Sequence, residues 1–171
     1  MDPGDEPVEV VDDDGRALRV VPRHVIREEL LLHRCTYVLV LNPGGELYVH
    51  RRTATKDTYP SFYDVCAGGV CAVGEPFDDC AAREVEEELG VGARPTFRFL
   101  HRYDGPDGRV IGAVYDVVWD GPIRHQAAEV EWGAFEPTHA IEKRIARDAF
   151  CPDGLEVYGR WLADREWRGP G

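Results

Sequence analysis

No apolar run in this chain of 171 residues approaches 18 positions, so no segment has the length and character of a membrane-spanning helix. The first ten residues, MDPGDEPVEV, hold neither a basic stretch nor an apolar one. A secretory leader needs both, so a cytoplasmic protein without a membrane partner is expected. Cysteine is sparse and odd in number, at positions 35, 66, 71, 80 and 151, with no CxxC spacing. That pattern argues against a disulfide framework and against a zinc ribbon. Basic residues are outnumbered, 20 against 32 acidic ones, giving a net charge of −12. Passive attraction to a polyanion is excluded by that balance, and stable nucleic-acid binding is not expected. Internal repeats and low-complexity blocks are absent as well.

What remains suits one domain with a sizeable core. Residues 8–165 are expected to form it, with loosely held ends at 1–7 and 166–171. Three pairs of β-rich runs surround turn signals: VEVV and ALRVV around DDDGR, CTYVLVLN and ELYVHRR around NPGGE, and FRFLHRYD and VIGAVYDVVW around GPDG. A short helix is expected from Pro22, and two more over Pro137 to Phe150 and around LEVYGRWLADR. The order implies an α/β fold with a mixed, largely antiparallel sheet and an N-terminal β-hairpin. Dimerisation through that hairpin or through an exposed strand is compatible with the sequence, which does not decide it.

The stretch AREVEEELGV at 82–91 carries four glutamates and ends on a glycine. At about 100° per residue, Glu84, Glu87 and Glu88 fall on one helical face while Glu86 points away. Each like-charge pair would destabilise the helix by about 0.2–0.5 kcal/mol unless a cation sits between them. Ala81, Val85 and Leu89 form the apolar stripe that faces the core. Upstream, Gly69, Glu75 and Arg83 stand at fixed offsets from the glutamates. Gly68-Gly69 permits a tight turn, Pro76 suits the first helical position and Gly90 the left-handed residue after the helix. An oxygen-only ligand set selects a hard cation, Mg²⁺ or Mn²⁺, over zinc.

The segment GVCAVGEPFDDCAAREVEEELGV resembles a complete Nudix box. That resemblance implies a mixed sheet sandwiched between helices, and hydrolysis of a diphosphate linked to another moiety by attack of water on phosphorus. It makes Glu84, Glu87 and Glu88 metal ligands, one of them also a proton acceptor, and places Arg83 beside them in the catalytic set. Glu75 would hold helix and loop in register with Gly68 in support. A further glutamate from a distant segment commonly completes the family's metal cluster. Glu129 is the candidate, and Glu131, two residues on, is expected on the same strand face.

Beyond the box, LHRCTYVLVLNPGGELYVHRRTATKDTYP is similar to the branch of the family containing isopentenyl-diphosphate isomerase, and more so to its YfcD-type hydrolases. The resemblance covers residues 8–165. It brings Arg51-Arg52 and Lys56 into view, and Arg52 and Lys56, with Gly69, form the expected substrate-binding set; arginine can grip a diphosphate with two parallel bonds. The isomerase's Cys-Gly-His triplet reads Ala67-Gly68-Gly69 here. Of its two upstream histidines, His33 matches but the other is Ile26, with His24 out of step. Cys66 is one residue from the catalytic position and is expected to be a buried thiol. Trp119, Trp132 and Trp161 read as core, and Tyr59, Phe62 and Tyr63 flank the basic pair. Three readings follow: a Mg²⁺-dependent hydrolase, an isomerase, or a non-catalytic sensor of a diphosphate ligand.

Overall fold

The computed structural model describes residues 3–168. A 3₁₀ turn at Pro3–Asp5 leads into strand β1, Pro7–Val11, which pairs antiparallel with β2, Ala17–Pro22. The turn between them is closed by Asp12, whose Oδ1 accepts the amides of Asp14 and Arg16, both at 2.9 Å. Helix α1, Arg23–Glu28, starts directly after Pro22, whose ring fixes the extended backbone ahead of the first turn. Strands β3, Leu32–Leu41, and β4, Leu47–Arg52, form the second hairpin, and β6, Thr96–Gly105, and β7, Gly108–Val118, the third. Of the loosely held ends expected, Met1, Asp2 and residues 169–171 lie outside the described residues. Pro7 already belongs to β1, and the last helix continues to Arg168.

The sheet has eight strands and is mixed. Parallel pairing joins β3 to β7 along its whole length, from Leu32 opposite Arg109 to Leu41 opposite Val118. On its other edge β3 is shared: Val10 of β1 meets His33, loop residues Val70 and Ala67 meet Cys35 and Val38, and Leu47 of β4 meets Leu41. The sheet therefore splits around the 67–70 loop. Alternation along β3 sends Tyr37, Leu39 and Leu41 to one face and Val38 and Val40 to the other, and both faces are buried. On the second face lies helix α2, Phe77–Leu89, packed through Ala81, Val85 and Leu89. On the first lie α3, Thr138–Ile145, and α4, Pro152–Arg168, packed through Ile141, Val157 and Trp161. This is the α/β/α sandwich expected.

Two elements differ from the expectation. Phe150 does not continue α3. The backbone around it pairs with Tyr63, whose amide donates to the Ala149 carbonyl at 2.9 Å while the Cys151 amide donates to the Tyr63 carbonyl at 2.9 Å. Its ring stacks on Tyr63 at 5.6 Å, so burial wins over helix continuation. Tyr63 and Asp64 form a two-residue strand, β5, on the edge of β4. Trp161 is core as expected, its indole donating to Asp116 at 2.9 Å, whereas Trp132, expected there too, is exposed and stands edge-on to Tyr63.

His50 on β4 is 2% exposed, and its Nδ1 is without a hydrogen-bond partner among the described residues. Burial, and after it the charge of Arg52, holds its imidazole down to about 3. A depressed pKa of this kind gives stability that is complete above the unfolded value of about 6.5 and is lost as pH falls toward 3. Between pH 7 and 4.5, this one group should cost the fold about 2 kcal/mol. Urea melts at the two pH values should show the change in stability from pH 7 to 4.5 to be about 2 kcal/mol less favourable in the wild type than in His50→Leu; equal changes would remove His50 as the cause.

Candidate active site

Helix α2 begins at Phe77, one residue later than Pro76 would allow, with Pro76 held extended as its cap. It stops at Gly90, which takes the left-handed conformation at φ 70°. Between those stops, the apolar stripe fixes the helix's rotation about its axis. Glu84 and Glu88 are thereby turned inward, Glu88 to 7% exposure, while Glu87 stays half exposed and Glu86 faces solvent. All three inward or flanking carboxylates line a cavity of about 570 Å³.

Arg83 locks the helix to the loop before it. Its Nε and Nη2 donate to the two oxygens of Glu75 at 2.8 and 2.9 Å, and Nη1 reaches Glu84 at 2.7 Å and Glu87 at 3.2 Å. Glu75 also accepts the Ala72 amide at 2.8 Å, and its carboxyl is pulled down chiefly by the Arg83 bond. The two glycines next to this clamp serve different needs. Gly68 sits at φ +145°, and a Cβ there would fall 2.1 Å from the Thr36 carbonyl oxygen. Gly69 has ordinary φ but no room: a Cβ would stand 2.8 Å from the Glu84 carboxylate. The Gly68 amide donates to Glu88 at 3.2 Å.

Burial, and next the charge of Glu84, pushes the Glu88 carboxyl up to about 8, against the pull of the Gly68 amide. Glu84 is raised too, by burial, with Arg83 opposing. From the opposite wall come Arg52, Lys56 and Glu129. Arg52 donates to the Thr58 carbonyl at 3.2 and 3.3 Å, and Lys56 pairs with Glu129. Glu129 lies in the turn before β8, Val130–Glu136, rather than in the strand. Glu131 does not share its face. A bulge opposite Arg51 and Arg52 leaves Glu131 outside the register, and it pairs with Arg51 at 3.0 Å without lining the cavity.

Sequence reasoning missed the third wall. Val8, Arg23, Ile26 and Arg27 come from the N-terminal hairpin and α1, and Arg27 reaches across to Asp57 at 2.8 Å. Asp64 and Asp153 also line the cavity, with the Tyr37 hydroxyl donating to Asp153 at 2.9 Å. Tyr59 lines it as well, whereas Phe62 and Tyr63 pack elsewhere. Short segments far apart in sequence gave no local pattern by which to find these groups.

The donors that Glu84, Glu87, Glu88 and Glu129 offer a cation are carboxylate oxygens, a hard set, and buried Glu88 meets no cationic side chain within bonding distance among the described residues. No three described acidic, histidine or cysteine side chains already converge as a finished metal shell. Arg83 holds two of the carboxylates and Lys56 the fourth. The residues fit a divalent cation, which would compete with those basic partners.

The sequence profile of the NUDIX domain matches residues 31–152. This chain is a member of the Nudix family. It is 42% identical over 174 residues to an uncharacterized Nudix hydrolase of Streptomyces coelicolor, covering all of this chain and 96% of that one. It is 34% identical over 156 residues to the uncharacterized Nudix hydrolase YfcD of Escherichia coli, covering 91% and 86%. Among solved structures, a Deinococcus radiodurans protein, DR0079, matches with TM-score 0.75 at 23% identity over 91% of this chain and 98% of its own. The NUDIX domain of Shewanella oneidensis NrtR, solved with ADP ribose, matches with TM-score 0.60 at 12% identity over 79% and 86%. These last two likenesses are of fold. The Nudix chain is a hydrolase with a mixed α/β architecture, and no described helix is long and apolar enough to cross a membrane.

Proposed function

We propose that this Nudix chain hydrolyses a diphosphate joined to an organic moiety, with Mg²⁺, or Mn²⁺ in its place, held by Glu84, Glu87, Glu88 and Glu129. The observation that carries the reading is the meeting, in one cavity, of the α2 carboxylates with Arg52 and Lys56 from the facing wall. Arg52 presents a planar fork and Lys56 a point charge, the two ways proteins hold phosphate. The bound cation would acidify the attacking water and neutralise charge growing on the phosphate oxygens. A carboxylate of the α2 face takes the water's proton, and Glu75, through Arg83, keeps that face in register. Gly69 leaves the space that the Glu84 carboxylate occupies, so that this ligand can face the cavity.

The isomerase reading finds no support in the same residues. Gly69 and Ile26 carry no imidazole, and the Cys66 thiol is pushed well up by burial and then by Asp64. A thiol so raised stays protonated at neutral pH.

Incubating the protein with Mg²⁺ and nucleoside, sugar, coenzyme and prenyl diphosphates separates the three readings. Phosphorus NMR should show new phosphate species with at least one substrate class, and EDTA should abolish them. Deuterium uptake at carbon would instead mark an isomerase, and binding without turnover a sensor.

A further inference from the structure

We propose that Thr53 is a positioning residue, holding the phosphate-binding lysine and the distal metal-binding carboxylate in register. It rests on the hydrolase reading above. Thr53 directly follows β4, is 9% exposed and does not line the cavity, so it touches no substrate. Its polar groups are nonetheless all committed to the two neighbouring segments of the wall opposite α2 that carry Lys56 and Glu129. The hydroxyl donates to the Ala128 carbonyl at 2.9 Å, and the amide donates to the Glu129 carbonyl at 3.1 Å. The Thr53 carbonyl accepts the amides of Lys56 and Ser61, each at 3.3 Å, and the Thr55 hydroxyl lies 3.1 Å from its own.

One residue thus grips the backbone under Glu129 with one hand and the backbone under Lys56 with the other. The far end of the same turn is tied to α2, where the Gln126 amide donates to the Glu88 carbonyl at 2.9 Å. A continuous run of backbone contacts joins the helix, the Glu129 turn and the Lys56 loop. Lys56 and Glu129 themselves close an ion pair inside the cavity. To serve their ligands the two side chains must part, and their backbones must stay placed while they do. Misplacing such groups by about 1 Å costs on the order of a hundredfold in rate.

Thr53→Val keeps the shape and leaves the Ala128 carbonyl without its donor, Thr53→Ala does so with less bulk, and Thr53→Ser restores the hydroxyl. Calorimetry would measure Mn²⁺ binding, and separately inorganic pyrophosphate binding in EDTA, beside thermal midpoints and steady-state kinetics. In Thr53→Val and Thr53→Ala both affinities should fall about five- to tenfold, in line with the loss of one aligned hydrogen bond. KM should rise more than kcat falls, and Thr53→Ser should bind close to the wild type. Wild-type affinities in Thr53→Val and Thr53→Ala, even with lowered midpoints, would reduce Thr53 to a fold-supporting role and overturn the inference. So would a Thr53→Ser variant as weak as Thr53→Val. A wild type that bound neither probe would instead bring down the hydrolase reading, and this inference with it.

Discussion

Glu88→Gln is expected to lower kcat/KM about a thousandfold, close to 4 kcal/mol of transition-state stabilisation, while the metal-free protein becomes harder to unfold. The two effects share one cause. Glu88 is buried, its carboxyl accepts one backbone amide from Gly68, and burial holds it up at about 8. A carboxyl raised above its unfolded value stabilises the fold while protonated and ceases to do so as pH climbs from about 4.5 toward 8. In EDTA, the stability of the wild type relative to the glutamine variant, which cannot ionise, should therefore fall across that range. Glutamine keeps an acceptor for the Gly68 amide but offers a cation no negative charge. Opposite signs for activity and stability identify a group kept for chemistry at the expense of the fold. A variant with near-full turnover at saturating Mg²⁺ would contradict the assignment, and so would one that unfolds more easily than the wild type in EDTA at pH 8. Glu87, half exposed, should show the activity loss without the gain in stability.

Gly68→Ala should be the most damaging single change to the fold, at about 4 kcal/mol or more. The added Cβ would meet backbone atoms of Thr36, oxygen at 2.1 Å and carbon at 2.8 Å, from a φ that L-residues rarely adopt. Thr36 cannot retreat, because β3 is paired residue by residue with β7 on its other edge. Gly69→Ala supplies the contrast. Its Cβ would press on the end of the Glu84 side chain, which can rotate away. Urea denaturation should find Gly68→Ala unfolded or nearly so, with Gly69→Ala folded but weak in Mn²⁺ binding. Similar unfolding midpoints for the two variants would refute this division between backbone and side-chain crowding.

How much of this was readable in the sequence depended on whether the determinant was local. The glutamate face of α2, its apolar stripe and its glycine stop repeat at helical spacing within 13 residues, and three hairpins announced themselves by turn residues between β-rich runs. The same reading put Glu131 beside Glu129, because alternation along a strand assumes unbroken register; one bulged residue reversed it. Nothing local marks β5, whose two residues are strand only because β4 lies alongside, or Phe150, held out of a helix by Tyr63. Lys56 and Glu129 were each picked out for a ligand, but their pairing across 73 positions is a property of the folded sheet. Thr53 could not have been found at all, since a threonine after a strand is ordinary until its partners are known.

The cavity draws its walls from two different sources. The carboxylates and their arginine clamp lie within residues 31–152, the stretch shared with the wider family, whereas Val8, Arg23, Ile26 and Arg27 precede it. Descendants of a common ancestor could thus exchange or reshape that leading hairpin, and with it one wall of the cavity, while the glutamate face and its clamp passed down unaltered.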